Sequence, residues 1–466
     1  MPNRNGKKIA ICHYRVGGTD GVSLEIAKRK KILEQYGFEV KLIAGNRSQN
    51  ADYTIKELEW DDGIIPIIKE NGFIYFKRQD LSSGELKRKI NKISGVIEGR
   101  LNAIQLQEHF DRVLIHNIFS FGGHIAAAKA FTKWIKKFQI PTLATHHDFY
   151  WERKEYQIPR NQYLRRYMEK FMPPKSKYIK HVVINTLAKK ELKKRLDIDA
   201  KVLPDVFDFE QKEWMIDSFN KDFLHEFAID PRDLIILQAT RVIPRKGIEL
   251  AMDYAIALQN SISKLKGKKI YNGKKLNSKT KVVLILAGYA EDEKREYLFR
   301  LKNKAFENHL CAKFISGHVK AKRKFSHGVK TYSLWDAYAH ADIVSFPSIW
   351  EGWGNQFIEG VFAKKPIVIY EYPVYKTDIK KEGYNIISLG NGGSGLTCDE
   401  NDLYSIPKKN IDKAVRQTIL WLKSSNTINR LEQNFKIGQK YHDFNVLKNF
   451  LIKELDLLGN NEEKGN

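Results

Sequence analysis

The chain has 466 residues, 42% of them hydrophobic, and a formal net charge of +25. That length predicts about two to three domains. No run of about 18 apolar residues is present, which excludes a spanning helix, and no apolar h-region of signal-peptide type follows the first eight residues, so a secretory signal is not expected. The first half opens with a short apolar strand, 8–14, then the glycine-rich turn Gly17-Gly18-Thr19-Asp20-Gly21. Residues 22–36 read as a helix with Val22, Ile26 and Leu33 on one side and Gly37 as its stop. Further strands are predicted at 38–44, 112–115, 141–145 and 181–184, with helical stretches between them. The second half repeats the scheme. Its predicted strands are 234–240, 281–287, 312–316, 343–346 and 366–370. Its predicted helices are 247–262, 291–306, 333–340 and 356–363. Residues 264–279 read as a basic surface insertion. An amphipathic helix is predicted at 446–458, with a frayed tail from Gly459.

Strand and helix alternation of this kind predicts an α/β protein with two mostly parallel, doubly wound sheets. The expected domains are residues 1–205, residues 206–440, and a C-terminal helix and tail at 441–466, with the join near 202–209. Ligands of such sheets sit at the carboxyl ends of strands. A cleft between the two halves is therefore expected to be lined by residues 17–21, His147, the loop after Thr240, and residues 351–355.

The positive charge clusters at 160–190, 264–281 and 320–330. It reads either as a solvated lysine-rich surface or as an attraction to anions: nucleotide phosphates, an acidic acceptor or an anionic membrane face. Zinc-finger spacing, an RNP-like aromatic signature and a helix-turn-helix are not evident, so nucleic acid is not the expected partner. Cys12, Cys311 and Cys398 are scattered without metal-ligand spacing and fit a reducing cytoplasm.

Four groups of residues could carry chemistry. Arg241, just past a strand, and Lys246, at the mouth of the next helix, can clamp a diphosphate, or can sit in a solvated basic loop. Gly18 and Gly21 could let a phosphate approach the backbone, or form a plain turn. His147 ends a strand in Thr145-His146-His147-Asp148 and could donate to a sugar hydroxyl or act as a base; residues alternating along a strand do not chelate one ion without a bend. Glu351 and Glu359 flank Gly352-Trp353-Gly354-Asn355 between a strand and a helix start, where backbone N–H groups and the helix dipole gather. They could hold sugar hydroxyls or be solvated acids. Trp350 and Trp353 could pack or wall a sugar site.

These motifs resemble the family-4 retaining glycosyltransferases, also called glycosyl transferases group 1, of the GT-B fold. Pro347-Ser348, Glu351-Gly352-Trp353-Gly354 and Glu359 match the family's P-S-x-x-E-G-F-G-x-x-x-x-E-A element, with Trp353 for Phe and Gly360 for Ala. Arg241 and Lys246-Gly247 match G-R-x-x-x-x-K-G, with Thr240 in place of the first Gly. Gly17-Gly18 match the early glycine loop. Pro204 and Asp208 resemble the interdomain P-N-G-x-D segment, where Asp205 and Val206 replace Asn and Gly.

The resemblance implies two Rossmann-like domains facing each other across a cleft, the first on the acceptor side and the second binding a nucleotide sugar. It implies that Arg241 and Lys246 bind the donor diphosphate, that Glu351 contacts the transferred hexose with the N–H groups of Gly352, Trp353, Gly354 and Asn355, and that Glu359 holds the ribose. It also implies that His147 bonds the donor sugar, that Gly18 or Gly21 approaches the phosphate, and that Val319 meets the base. Where the family carries a glycine-rich segment past the helix, residues 370–378 stand instead. Tyr150, Trp151 and Arg153 border the expected acceptor side and could bind a sugar or an acidic group, or could pack as core plus a surface ion pair.

The implied activity is retaining, metal-independent transfer of a hexose, glucose or mannose, from a UDP- or GDP-sugar to an acceptor hydroxyl. No cofactor is expected beyond that co-substrate. The acceptor is a small sugar or acid, or a lipid- or polysaccharide-linked glycan at the inner membrane face. A non-catalytic nucleotide-sugar-binding partner subunit is the alternative, ahead of a basic nucleic-acid-binding protein. Base, sugar, linkage and oligomeric state are not readable.

Overall fold

Apolar runs bounded by turn residues set the strands, and the connections between them fix the sheets. The computed structural model describes residues 7–18, 20–45, 47–48, 50–289, 296–320, 322–393 and 395–459. Thr19 of the glycine turn, residues 291–295 of the expected helix 291–306, and the tail beyond 459 lie outside the described residues. The chain divides into two units, one of residues 1–205 with 445–466 and one of residues 206–444.

The first unit holds a seven-stranded sheet. Its strands are β1 (Lys8–Cys12), β2 (Glu39–Ala44), β3 (Tyr53–Thr54), β4 (Arg112–His116), β5 (Thr142–His146), β6 (Ile179–Val183) and β7 (Ala200–Val202). The order is β3-β2-β1-β4-β5-β6-β7 and every pairing is parallel. β4 and β5 are buried along their whole length, as strands covered on both faces must be. The helix Ser83–Glu108 starts with a reciprocal Ser82–Glu85 capping box and packs with the helix Ile125–Phe138. The final helix, Phe444–Gly459, belongs mainly to this unit rather than forming a separate segment. It buries Leu447, Leu451 and Leu455, and the Arg112 side chain donates to the Leu455 carbonyl at 3.1 Å.

The second unit holds a six-stranded parallel sheet. Its strands are β8 (Leu234–Gln238), β9 (Val282–Leu286), β10 (Cys311–Phe314), β14 (Ile343–Phe346), β15 (Ile367–Glu371) and β16 (Ile387–Asn391), in the order β10-β9-β8-β14-β15-β16. β11 (Val319–Lys320), β12 (Lys324–Ser326) and β13 (Val329–Ser333) make a small separate sheet. The strand order reverses direction between β8 and β14, which opens the crevice where such sheets bind ligands.

The basic segment 264–279 is not a simple surface insertion. Leu265, Ile270 and Leu276 are buried in the core of the second unit. The Tyr271 hydroxyl donates to the Asp342 carbonyl at 2.9 Å, and Lys274 is ion-paired with the Asp342 carboxylate at 2.5 Å. Three apolar side chains spaced among the lysines anchor it. No helix among the described residues is long and apolar enough to cross a membrane.

Candidate functional site

The switch point of the second unit is built from two loops. The first runs from the end of β8 to the helix Ile248–Asn260. The second runs from the end of β14 to the helix Asn355–Phe362. Gly247 joins them. It has φ +57, and a Cβ there would stand 2.5 Å from the Pro347 carbonyl oxygen. Only glycine fits that conformation and that approach. Gly288, after β9, is as tight, since its Cβ would overlap the Thr240 carbonyl at 1.8 Å.

This closeness brings together residues that are 105 positions apart. Lys246 is only 4% exposed and Glu351 7%. The Lys246 ammonium donates to one oxygen of Glu351. Arg245 donates to the other at 3.0 Å and to the Trp350 carbonyl at 3.1 Å. Burial opposes charge on both Lys246 and Glu351. For Glu351 the two cations win and its carboxyl is held below the usual range. For Lys246 burial wins despite Glu351, and its ammonium is pulled below the usual lysine range. Arg241 is half-buried in the same loop, and its charge is felt by Lys246. Two cations thus converge on one carboxylate with Arg241 in the same loop, leaving an excess of positive charge where an anion can be held.

Glu359 is half-buried and accepts from the Tyr338 hydroxyl at 2.9 Å. Trp350 is 40% exposed, with the Arg245 guanidinium 5.6 Å from its ring centre. Trp353 is turned inward against His442, 5.4 Å between ring centres, so its backbone is what it offers a ligand. Gly352, Gly354 and Asn355 complete the loop into the helix start, with Gly354 at φ +139. Val319 is buried on β11, paired with Tyr332 of β13.

The first unit gathers its own set at the carboxyl ends of its strands. His147 and His146 point to opposite partners, as neighbours at a strand end should. His147 Nε2 lies 3.0 Å from His116 Nδ1, and His146 Nε2 lies 3.0 Å from His181 Nδ1. His116 Nε2 is buried and meets no partner among the described residues. A buried N–H left unbonded costs more than a bare lone pair, which puts the His116 proton on Nδ1. His147 then accepts at Nε2 and carries its own proton on Nδ1, available to donate. Burial, with the Arg29 charge next, pushes the His147 imidazolium down to about 3, so the ring is neutral near pH 7. Asn117, at φ +55, accepts from the His147 N–H at 2.7 Å and donates to Asp148 at 2.8 Å.

Other predicted positions are differently used. Asp20 caps the helix Gly21–Gln35, accepting from the N–H groups of Val22 and Ser23. A carboxylate therefore already accepts from the N–H groups that follow Gly21. Trp151 is buried and stacked on Phe149, ring centres 4.2 Å apart and 7° from parallel, with Arg195 5.3 Å from its ring centre. It packs in the core instead of presenting an open face to a sugar. Arg153 is ion-paired with Asp148. Tyr150 is half-buried beside Trp151. Sequence reading passed over Arg245, His116, Asn117 and Tyr338. Arg245 had a signal, its place beside Lys246; the other three act through partners distant in sequence. Among the described residues no three His, Cys, Asp or Glu side chains are gathered as metal ligands.

Comparison with known proteins places this site in context. A profile described as "Glycosyl transferases group 1" matches residues 220–437. The chain is 38% identical over 429 residues to the mannosylglucosylglycerate synthase of Petrotoga mobilis, covering 91% of this chain and 96% of that one. It is 35% identical over 453 residues to the mannosylglucosylglycerate synthase of Thermotoga maritima, covering 96% and 99%. Among solved structures it is similar to sucrose-phosphate synthase from Thermosynechococcus elongatus, with a TM-score of 0.59 and 12% identity, covering 97% of this chain and 99% of that chain.

Proposed function

Because the chain belongs to the group 1 glycosyltransferases, we propose that it moves a mannosyl group from a nucleotide-activated mannose to a sugar hydroxyl of glucosylglycerate. Its two parallel-sheet units are the Rossmann-like domains of the GT-B fold. The observation that carries the substrate reading is the likeness, over almost the full length of both chains, to two synthases of mannosylglucosylglycerate. A product of that name is complete once mannose is joined to a glucosyl-glycerate unit.

The second unit supplies the donor chemistry. Arg241 and Lys246 hold the diphosphate, and Glu351 and the N–H groups of residues 352–355 hold the hexose. Glu359, steadied by Tyr338, takes the ribose hydroxyls. As the bond between the anomeric carbon and the phosphate oxygen breaks, negative charge grows on the leaving diphosphate. Lys246, fixed beforehand by Glu351, stabilises that charge together with Arg241. The acceptor hydroxyl attacks from the face that the diphosphate leaves. Its proton passes to a phosphate oxygen, the new glycosidic bond forms, and configuration is retained. Two side-chain cations perform the neutralisation that a divalent metal would otherwise perform, so transfer proceeds without one. The neutral His147 contributes an Nδ1–H to a sugar hydroxyl. The acceptor is an acid, and a chain of net charge +25 draws it in.

A donor panel tests this reading. GDP-mannose, UDP-glucose, ADP-glucose and UDP-N-acetylglucosamine are offered to wild type, Glu351→Ala and Lys246→Ala. Binding and slow hydrolysis of a nucleotide mannose, lost in both variants and unaffected by EDTA, is the expected result. A one-bond carbon–proton coupling at the anomeric centre showing inversion in the product refutes the retaining mechanism. Folded wild type that recognises no donor refutes the donor site.

A further inference from the structure

Tyr372 follows β15 and is fully buried. Its ring meets Phe346 of β14 edge-on, with centres 5.8 Å apart. Its hydroxyl donates to the Trp353 carbonyl at 2.5 Å. Gly354 is pressed against the same hydroxyl, since a Cβ there would come within 2.3 Å of Tyr372 Oη. Residues 353 and 354 of the Glu351 loop are thus held from beneath by one phenol.

The direction of that hold matters. In a trans peptide the carbonyl and the following N–H point opposite ways. A Trp353 carbonyl tied inward to Tyr372 turns the Gly354 N–H to the other side of the loop. Gly354 immediately precedes the helix Asn355–Phe362, whose own first N–H groups point out of its start. Glycine at 354 would otherwise let this peptide flip at little cost. A flipped peptide would present a carbonyl where the loop now presents a donor.

We propose that Tyr372 is a positioning residue for the donor sugar, aiming the Gly354 N–H at the hexose by holding the Trp353 carbonyl. The inference rests on the reading of residues 352–355 as the hexose-binding loop. The hydroxyl does this, not the ring. The ring fills space beside Phe346 and would do so equally well as phenylalanine. The hexose and the nucleoside diphosphate should therefore respond differently to loss of the hydroxyl, because the diphosphate is held by Arg241 and Lys246.

Calorimetry on the intact protein separates the two. Each of wild type and Tyr372→Phe is titrated with the nucleotide sugar that wild type binds and with the matching nucleoside diphosphate. The expected result is a nucleotide-sugar Kd weakened about tenfold, with the diphosphate Kd within about twofold of wild type. Should Tyr372→Phe fail to fold, amide hydrogen exchange of wild type replaces it: protection of the Gly354 N–H by the nucleotide sugar beyond that given by the diphosphate is expected, and equal protection by both overturns the proposal. Unchanged binding of both ligands, or equal weakening of both, overturns the proposal. If wild type binds no nucleotide sugar, the donor reading itself fails; if it binds one and Tyr372→Phe is unaffected, only this inference fails.

Discussion

Lys246 and Glu351 form a buried pair whose members are not equivalent. Removing Lys246 leaves Glu351 with Arg245 still bonded at 3.0 Å. Removing Glu351 leaves a buried ammonium beside two other cations. Glu351→Ala should therefore destabilise the fold by about 3 kcal/mol or more, and Lys246→Ala by clearly less. Urea unfolding of the two variants checks the order, and equal losses would contradict it. Two histidines set the acid limit. His147 is pushed down to about 3 and His181 to about 4, both mainly by burial, while the usual histidine value is 6.5. Between those values the unfolded chain binds more protons than the folded one, so stability is lost as pH falls from about 6.5 toward 4. A urea midpoint that stays flat across that window would rule this out. At this scale, the sequence placed Lys246 at the mouth of a helix and Glu351 after a strand, where chemistry belongs. It could not show that they bond each other, because that contact spans 105 residues. Nor could periodicity reveal that Glu25 and Arg29 are both 2% exposed, paired at 2.8 Å on a helix face that would otherwise be apolar.

The loops at the switch point depend on glycine more than on any cap. Gly247→Ala would force a side chain into φ +57 and against the Pro347 carbonyl. A cost of about 1–3 kcal/mol is expected from the backbone strain. Loss of donor binding should accompany it, because Lys246 and Glu351 are brought together across this contact. Thermal unfolding and donor titration of the one variant read both effects, and wild-type donor affinity would contradict the second. Fully buried strands such as those predicted at 234–240 and 343–346 were readable because burial on both faces leaves hydrophobic runs. β3, β7 and β11 were not, being two or three residues long and fixed only by their neighbours. The segment 264–279 was misjudged because its lysines outnumber Leu265, Ile270 and Leu276, which decide where it lies.

Across the whole molecule, the last helix completes the first unit. Deleting residues from 445 onward removes Leu447, Leu451 and Leu455 from that core, with the ion pair between Lys201 and Glu454. Circular dichroism of the truncated protein should show lost cooperativity for part of the chain; an unaltered melt would refute the assignment. The net charge of +25 makes a separate prediction. If it draws in an acidic acceptor, kcat/KM for that acceptor should fall as ionic strength rises past about 0.15 M. The two-sheet architecture was legible from strand and helix alternation alone, and the two switch-point loops from their places after strands. The use of Trp151 and Arg153 was not legible, because their partners, Phe149 in the core and Asp148 in an ion pair, are revealed only by the fold. The most direct measurement is therefore product formation. Wild type is incubated with GDP-mannose and, in separate reactions, glucosylglycerate, glycerate and phosphorylated glucosylglycerate, and the products are weighed by mass spectrometry. Addition of one hexose to glucosylglycerate, absent in Lys246→Ala, is the predicted result; no hexose transfer to it by folded enzyme that binds a nucleotide mannose would contradict the account.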